Sequence, residues 1–217
     1  KFKEVWMDLE KAYDLGIKIV VMIGGAGGGY ASLFKDYEAA YCLLQDFLSH
    51  RIITGIDLDI EEMVVLDDVR RLIRDVKRDY PHFTITMAPV QRSLQTDEPG
   101  MGGFVYKDLL GTDEGKQIDY FNGQFYSDFS EEAYDQVVKN GYPPNMVVMG
   151  SMDGSGSIDT VISLAKKYKA EIPFLRPESI SKDQSSSFKL MKDAIDYYKK
   201  NKITFDYLVL LEPTSPL

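Results

Sequence analysis

The chain has 217 residues, 44% hydrophobic and 27% charged, enough to bury a sizeable core in one or two domains and too apolar to be disordered. Its formal charge of −9 excludes the Lys/Arg stripe that nucleic-acid phosphate requires, while an uncharged polymer meets no such objection. The lone cysteine, Cys42, excludes an intrachain disulfide and a thiolate metal site, and the two histidines, His50 and His82, lie far apart in sequence, so no metal or cofactor is expected.

No apolar run approaches the roughly 20 residues of a membrane span, so no membrane partner is expected. The opening Lys1-Phe2-Lys3-Glu4 is neither an initiator Met nor a signal peptide, and the chain is expected to start inside a longer protein. Val5, Trp6, Leu9, Ala12 and Tyr13 recur at helical spacing over residues 5–15, and Gly16 is the stop. An apolar strand at 17–23 leads into Gly24-Gly25-Ala26-Gly27-Gly28-Gly29. This loop lacks the Lys-Ser/Thr of a phosphate loop, so its glycines serve close approach of the backbone, either to a neighbouring strand or to a ligand.

A helix over 37–49, with Tyr37, Ala40, Tyr41, Leu44 and Leu48 on one side, delivers the chain to residues 54–62. Here Asp57, Asp59 and Glu61 alternate with Ile56, Leu58 and Ile60. On a strand the three acids share one face, roughly 6.5 to 7 Å apart, and the aliphatic face requires an apolar cover. A solvated acidic edge is the plain alternative. If the acids are enclosed, each raises the others' pKa, and at least one of the three is expected to hold a proton near neutrality, as a general acid must.

A second amphipathic helix spans 66–80 and closes at Pro81. A strand at 83–89 opens into a glycine-containing loop around 99–103, and a strand at 118–126 sets Asn122, Gln124 and Tyr126 on one face as a polar wall, although tyrosine in a strand also serves packing. A helix at 131–140, a turn at 141–144 and a strand at 146–150 follow. Strand and helix alternating at this spacing predict parallel strands with crossovers, and catalytic side chains at the strands' carboxyl ends.

The run Thr54-Gly55-Ile56-Asp57-Leu58-Asp59-Ile60-Glu61 resembles the D-G-x-D-x-D-x-E strand of the family 18 glycoside hydrolases, the chitinases and endo-β-N-acetylglucosaminidases. Gly55, Asp57, Asp59 and Glu61 match, and Thr54 stands where that family usually has its first Asp. Residues 17–25 are similar to the family's third strand, whose usual form is Ser-x-Gly-Gly, with Met22 in place of the Ser. The segment Asn122-Gly123-Gln124-Phe125-Tyr126 resembles its sixth strand, nearest the class III plant and related fungal and bacterial chitinases.

The resemblance covers residues 1–155 and implies an α/β fold, a partial TIM (β/α) barrel of parallel strands corresponding to strands three to seven of eight. It implies cleavage of β-1,4-linked N-acetylglucosamine with retention, and an extracellular setting by family habit. Glu61 would protonate the glycosidic oxygen, and Asp59 would hold the acetamido N–H. Asp57 would share a proton or hydrogen bond with Asp59, and Tyr126 would donate to the acetamido oxygen. Gly24, Gly25, Met87, Asn122 and Gln124 would line the sugar subsite. The rival expectation is sugar binding without turnover, since Thr54 and Met22 depart from the pattern and the only tryptophan, Trp6, lies in the first helix, leaving no Trp floor.

From about residue 156 the resemblance changes. The runs at 170–178, 185–187 and 210–217, the last containing Glu212-Pro213-Thr214-Ser215-Pro216, resemble an internal segment of acylneuraminate cytidylyltransferases, which typically have Gln in the place of Glu212. That implies a second domain at 156–217 and, as a third reading, a link to sugar-nucleotide synthesis, although the family's nucleotide loop is missing. Strands expected at 172–175 and 205–211, with a helix at 184–200 between them, would continue the sheet to about seven parallel strands.

Overall fold

The computed structural model describes residues 3–152, 157–170 and 187–203. The elements run α1 (Lys3–Asp14), β1 (Ile19–Gly24), α2 (Tyr30–Lys35), α3 (Tyr37–Leu48), β2 (Ile53–Asp59), α4 (Leu66–Asp79), β3 (Thr84–Met87), α5 (Gln91–Gln95), α6 (Tyr106–Leu110), β4 (Tyr120–Gln124), α7 (Glu131–Lys139), β5 (Val147–Gly150), α8 (Ile158–Tyr168) and α9 (Ser187–Lys200). The strands form one parallel sheet in the order β1-β2-β3-β4-β5. Each strand lies beside the next in sequence and is joined to it by a helical crossover, which is the α/β pattern of a partial TIM barrel.

The helices follow from the chain's periodicity. In α4, Val69, Leu72, Ile73 and Val76 fall at i, i+3, i+4 and i+7, and all are withdrawn from solvent. Asp67 and Asp68 in its first turn and Lys77 and Arg78 in its last complement the helix dipole. A polar seam ties α3 to α4: Tyr37 donates to Asp75 at 2.9 Å, and Tyr41 and Gln45 donate to Asp79 at 2.9 and 2.7 Å. At the end of α1, Gly16 takes φ +84°, the left-handed conformation that stops a helix.

The register of the sheet decides which face each residue occupies, because side chains of paired residues in a parallel ladder point the same way. One row reads Ile23, Leu58, Met87 and Phe121, strand by strand. These residues belong to the apolar core shared with the helices, so the core lies between the sheet and its helical layer. The other row reads Met22, Asp57, Thr86 and Tyr120, followed farther along the strands by Asp59, Asn122 and Gln124. This second, polar face carries the chemistry.

One expectation is corrected by this register. Met87 does not line the polar face: it pairs with Leu58 and Phe121 and is 0% exposed in the core. In residues 84–87 threonine alternates with Ile85 and Met87, so a face that takes Thr86 cannot take Met87. The acid-bearing strand is also shorter than expected. It ends at Asp59, which leaves Glu61 on the loop just past its carboxyl end.

In the tail, α8 docks on α7. Lys167 bridges Glu131 and Asp135 at 2.7 and 2.6 Å, and Ser163 and Tyr168 donate to the same two carboxylates. On α9, Ile195 packs against Ala12, Ile17 and Ile19, beside the opposite edge of the sheet. The strands expected at 172–175 and 205–211 lie outside the described residues, as do residues 153–156 around the expected domain boundary and most of the cytidylyltransferase-like runs. Among the described residues, no helix is long and apolar enough to cross a membrane.

Leu72 sits at the centre of the α4 face. Leu72→Ala should cost about 2–5 kcal/mol of unfolding free energy, the range for a large-to-small change in a packed core, read from urea denaturation midpoints at constant slope.

Candidate active site

β2 carries Asp57 and Asp59 on the polar face, each only 5% exposed. A carboxylate so enclosed needs hydrogen-bond donors to offset the water it has lost. For Asp57 the donor comes from the neighbouring strand: Thr86 Oγ1 donates to Asp57 Oδ1 at 2.6 Å. The amide of Asn122 donates to the same Thr86 oxygen at 3.4 Å, and its own Oδ1 is a buried oxygen with no partner among the described residues. The Asp57 carboxylate is thus met by a hydroxyl from β3. Asp57 pairs in register with Thr86, whereas Asp59 lies two residues along the strand, about 6.5 to 7 Å away.

Gln124 joins the other two acids. Its Nε2 donates to Asp59 Oδ1 at 3.1 Å and to Glu61 Oε1 at 3.3 Å, and is anchored on the Ala88 carbonyl at 2.8 Å. The half-buried Glu61 is thereby held beside Asp59, at the carboxyl end of the sheet. Asn122 and Gln124 thus form the expected polar wall. Tyr126 lies just past the end of β4 and is 42% exposed, close enough for Asp59 and Glu61 to push its phenol pKa up after burial has done so.

At Gly24 and Gly25 the backbone passes close to the neighbouring strand. Gly24 takes φ +95°, and a Cβ there would stand 2.2 Å from the Asp59 carbonyl oxygen and 2.4 Å from the Tyr30 ring. Gly25 N–H donates to that same Asp59 carbonyl at 2.9 Å. The loop is pinned at its far end by Glu62, whose Oε1 accepts from the N–H groups of Gly29 and Tyr30. The Tyr30 hydroxyl donates to the Ile23 carbonyl at 2.7 Å. The two departures from the family pattern do not reach the acids with a donor. Met22 pairs beside Asp57 but has only a thioether, and the Thr54 hydroxyl donates to the Ile19 carbonyl at 3.1 Å.

Burial is the leading influence on the acids. It pushes the Asp59 carboxyl up to about 7, with further upward pushes from Glu61 and Asp57 and a downward pull from the Gln124 hydrogen bond. Asp57 is raised by burial as well, and the bonds from Thr86 and Asn122 pull it back. Of the three acids, Asp59 is the one that burial and its acidic neighbours push toward neutrality. Sequence reasoning missed Thr86, Glu62 and the buried Tyr30 and Tyr106, whose phenols burial and then Asp59 push upward. For Thr86 the signal was present in the alternation of residues 84–87. For Glu62 and the tyrosines none was, because loop and helix residues meet the acids only after folding.

Solved structures similar to this chain include two glycosidases. A fungal endo-β-N-acetylglucosaminidase from glycosyl hydrolase family 18 is 32% identical with a TM-score of 0.68, the match covering 77% of this chain and 66% of that one. The chitinase ChiC from Aspergillus fumigatus is 27% identical with a TM-score of 0.70, covering 89% of this chain and 77% of that one. The chain therefore spans slightly less than two thirds of the endoglucosaminidase, and its fold is that of a chitinase-like glycosidase. No protein-family model matches the chain, and no curated protein matches it. Nothing in these comparisons supports the cytidylyltransferase resemblance of the tail.

A carboxyl whose folded pKa lies above its unfolded value binds more protons in the native state, so stability falls as pH rises between the two values. For Asp59 that window runs from 3.8 to about 7, and Asp57 acts in the same direction. Unfolding free energy measured by denaturant titration should decline from pH 4 to 7. Asp59→Asn should flatten the decline, and an unchanged slope would place the buried proton elsewhere.

Proposed function

We propose that this chain is a family 18 glycoside hydrolase that cleaves β-1,4-linked N-acetylglucosamine oligomers or polymers with retention, through substrate assistance rather than an enzyme nucleophile. The observation that carries the reading is the single Gln124 amide holding Asp59 and Glu61 together at the carboxyl end of the sheet, where catalytic groups of such barrels lie. Similarity to a family 18 endo-β-N-acetylglucosaminidase and a chitinase supports it.

In this mechanism Glu61 protonates the glycosidic oxygen as the bond to the anomeric carbon breaks. The substrate's acetamido oxygen attacks that carbon from the other face and forms an oxazolinium ion. Asp59 holds the acetamido N–H and opposes the positive charge that develops. Gln124 donates to both Asp59 and Glu61 and holds the two carboxyls side by side. Tyr126 donates to the acetamido oxygen. Water, deprotonated by Glu61, then opens the oxazolinium and restores the acid. Asn122 and Gln124 bound the sugar site, and Gly24 and Gly25 let β1 approach Asp59. Residues 1–155 form the catalytic unit, and residues 156–217 make up a second domain.

A second reading, a carbohydrate-binding module without turnover, is favoured by a specific feature. Met22 on the polar face is 44% exposed, so the site is open along β1. Trp6, the only tryptophan, packs on Phe47 and His50 rather than beside the acids.

Glu61→Gln should abolish release of fluorophore from a fluorogenic chitobioside while leaving affinity for a chitin oligomer within about twofold, since the amide keeps the shape and loses the proton. Turnover retained by this variant would contradict the assignment. Wild-type protein that binds the sugar and never cleaves it would establish the binding module instead.

A further inference from the structure

Asp57 has two neighbouring strands, and their residues in register with it are Met22 on β1 and Thr86 on β3. Only one of these can donate a hydrogen bond. Met22 offers a thioether, and Thr54, on the other face of β2, gives its hydroxyl proton to the Ile19 carbonyl. Thr86 is 0% exposed, its Oγ1 stands 2.6 Å from Asp57 Oδ1, and the same oxygen accepts from the Asn122 amide at 3.4 Å. A hydroxyl has one proton to give. With Asn122 donating into its lone pair, the Thr86 proton is directed to Asp57.

We propose that Thr86 is the positioning residue of this site: its hydroxyl, delivered by β3 in register with Asp57, fixes that carboxylate behind Asp59, a task that neither Met22 nor Thr54 performs. Its effect on turnover rests on the glycosidase reading above. Its effect on Asp57 does not.

The consequence is electrostatic. Asp57 shares the face with Asp59 on its own strand and, beyond the strand end, Glu61. Tyr30 from the start of α2, Tyr106 from α6 and Tyr126 after β4 also feel its charge. None of these groups stabilises a carboxylate by being ionised, so the donors Thr86 and Asn122 are what opposes burial at Asp57. An anionic Asp57 in turn pushes the Asp59 carboxyl upward. Thr86 thus acts on the reacting pair through Asp57, without touching substrate.

The test uses Thr86→Val, which keeps the branched shape and removes the hydroxyl, and Thr86→Ser, which keeps the hydroxyl. Carboxyl carbons of aspartate-labelled protein are titrated by NMR, with Asp57→Asn and Asp59→Asn providing assignments, and chitobioside hydrolysis is followed across pH. Thr86→Val should raise the Asp57 midpoint by about 1–2 units, the loss of one hydrogen bond to a charged group. Thr86→Ser should restore it. In the Asp57→Asn background, Thr86→Val should have no further effect on the Asp59 midpoint.

If the wild type hydrolyses the chitobioside, Thr86→Val should lower kcat about 10-fold or more with little change in KM, and shift the pH profile with the Asp57 midpoint. An unchanged Asp57 midpoint in Thr86→Val would overturn the proposal. So would failure of Thr86→Ser to restore it. Absence of hydrolysis in the wild type would overturn the glycosidase reading alone, and the titrations would still decide the role of Thr86. Should Thr86→Val not fold, Thr86→Ala removes the same donor without filling the space and is read by the same titration.

Discussion

A carboxyl group set on the inner face of a parallel sheet loses its hydration, and the strand that carries it cannot replace the lost bonds, because its own neighbours on that face lie two residues away. The donor has to come from another strand. Here the β2–β3 register brings Thr86 opposite Asp57 at 2.6 Å, and Asp59, level with the chain just past the end of β3, is reached by Gln124 from β4, two strands away. A slip of β3 against β2 by one residue would bury Met87 against the acids and turn Thr86 into the core. The core and the site are therefore specified by the same registers.

The acids are held from the other side by backbone. Gly24 has no room for a side chain between the Asp59 carbonyl and Tyr30, and Gly25 closes the contact with a hydrogen bond to that carbonyl. Glu62, next to Glu61 in sequence, turns to the opposite task and anchors the glycine loop through the amides of Gly29 and Tyr30. Adjacent glutamates thus have different neighbours: Gln124 for one, the loop for the other. The chemistry of the site and the rigidity of its rim come from one turn of chain after β2.

The helical layer meets the tail at both ends of the sheet. α8 is bound to α7 through the Lys167 pairs with Glu131 and Asp135, while α9 reaches Ala12, Ile17 and Ile19 through Ile195. Helices thus pack on the elements beside both outer strands of the five described, and reduce the apolar surface left there. The surface ion pairs contribute little individually, so the apolar contacts carry this docking.

Local pattern was sufficient for much of the fold. The spacing of Val69, Leu72, Ile73 and Val76 reports α4 because a helix buries one stripe, and the alternation of Asp57 and Asp59 with Ile56 and Leu58 reports a strand with one polar face. The glycine run identifies a place where backbone passes close to something. None of these depends on a distant residue.

What the chain could not disclose by itself concerns partners. Asp57 accepts from Thr86, Met87 lies with Leu58 and Phe121, and Glu62 closes on Gly29, because each is settled by residues brought together from elsewhere in the sequence. Periodicity gives the two faces of a strand. Which face meets helices and which meets acids is decided by the register between strands, and register is a property of the assembled sheet.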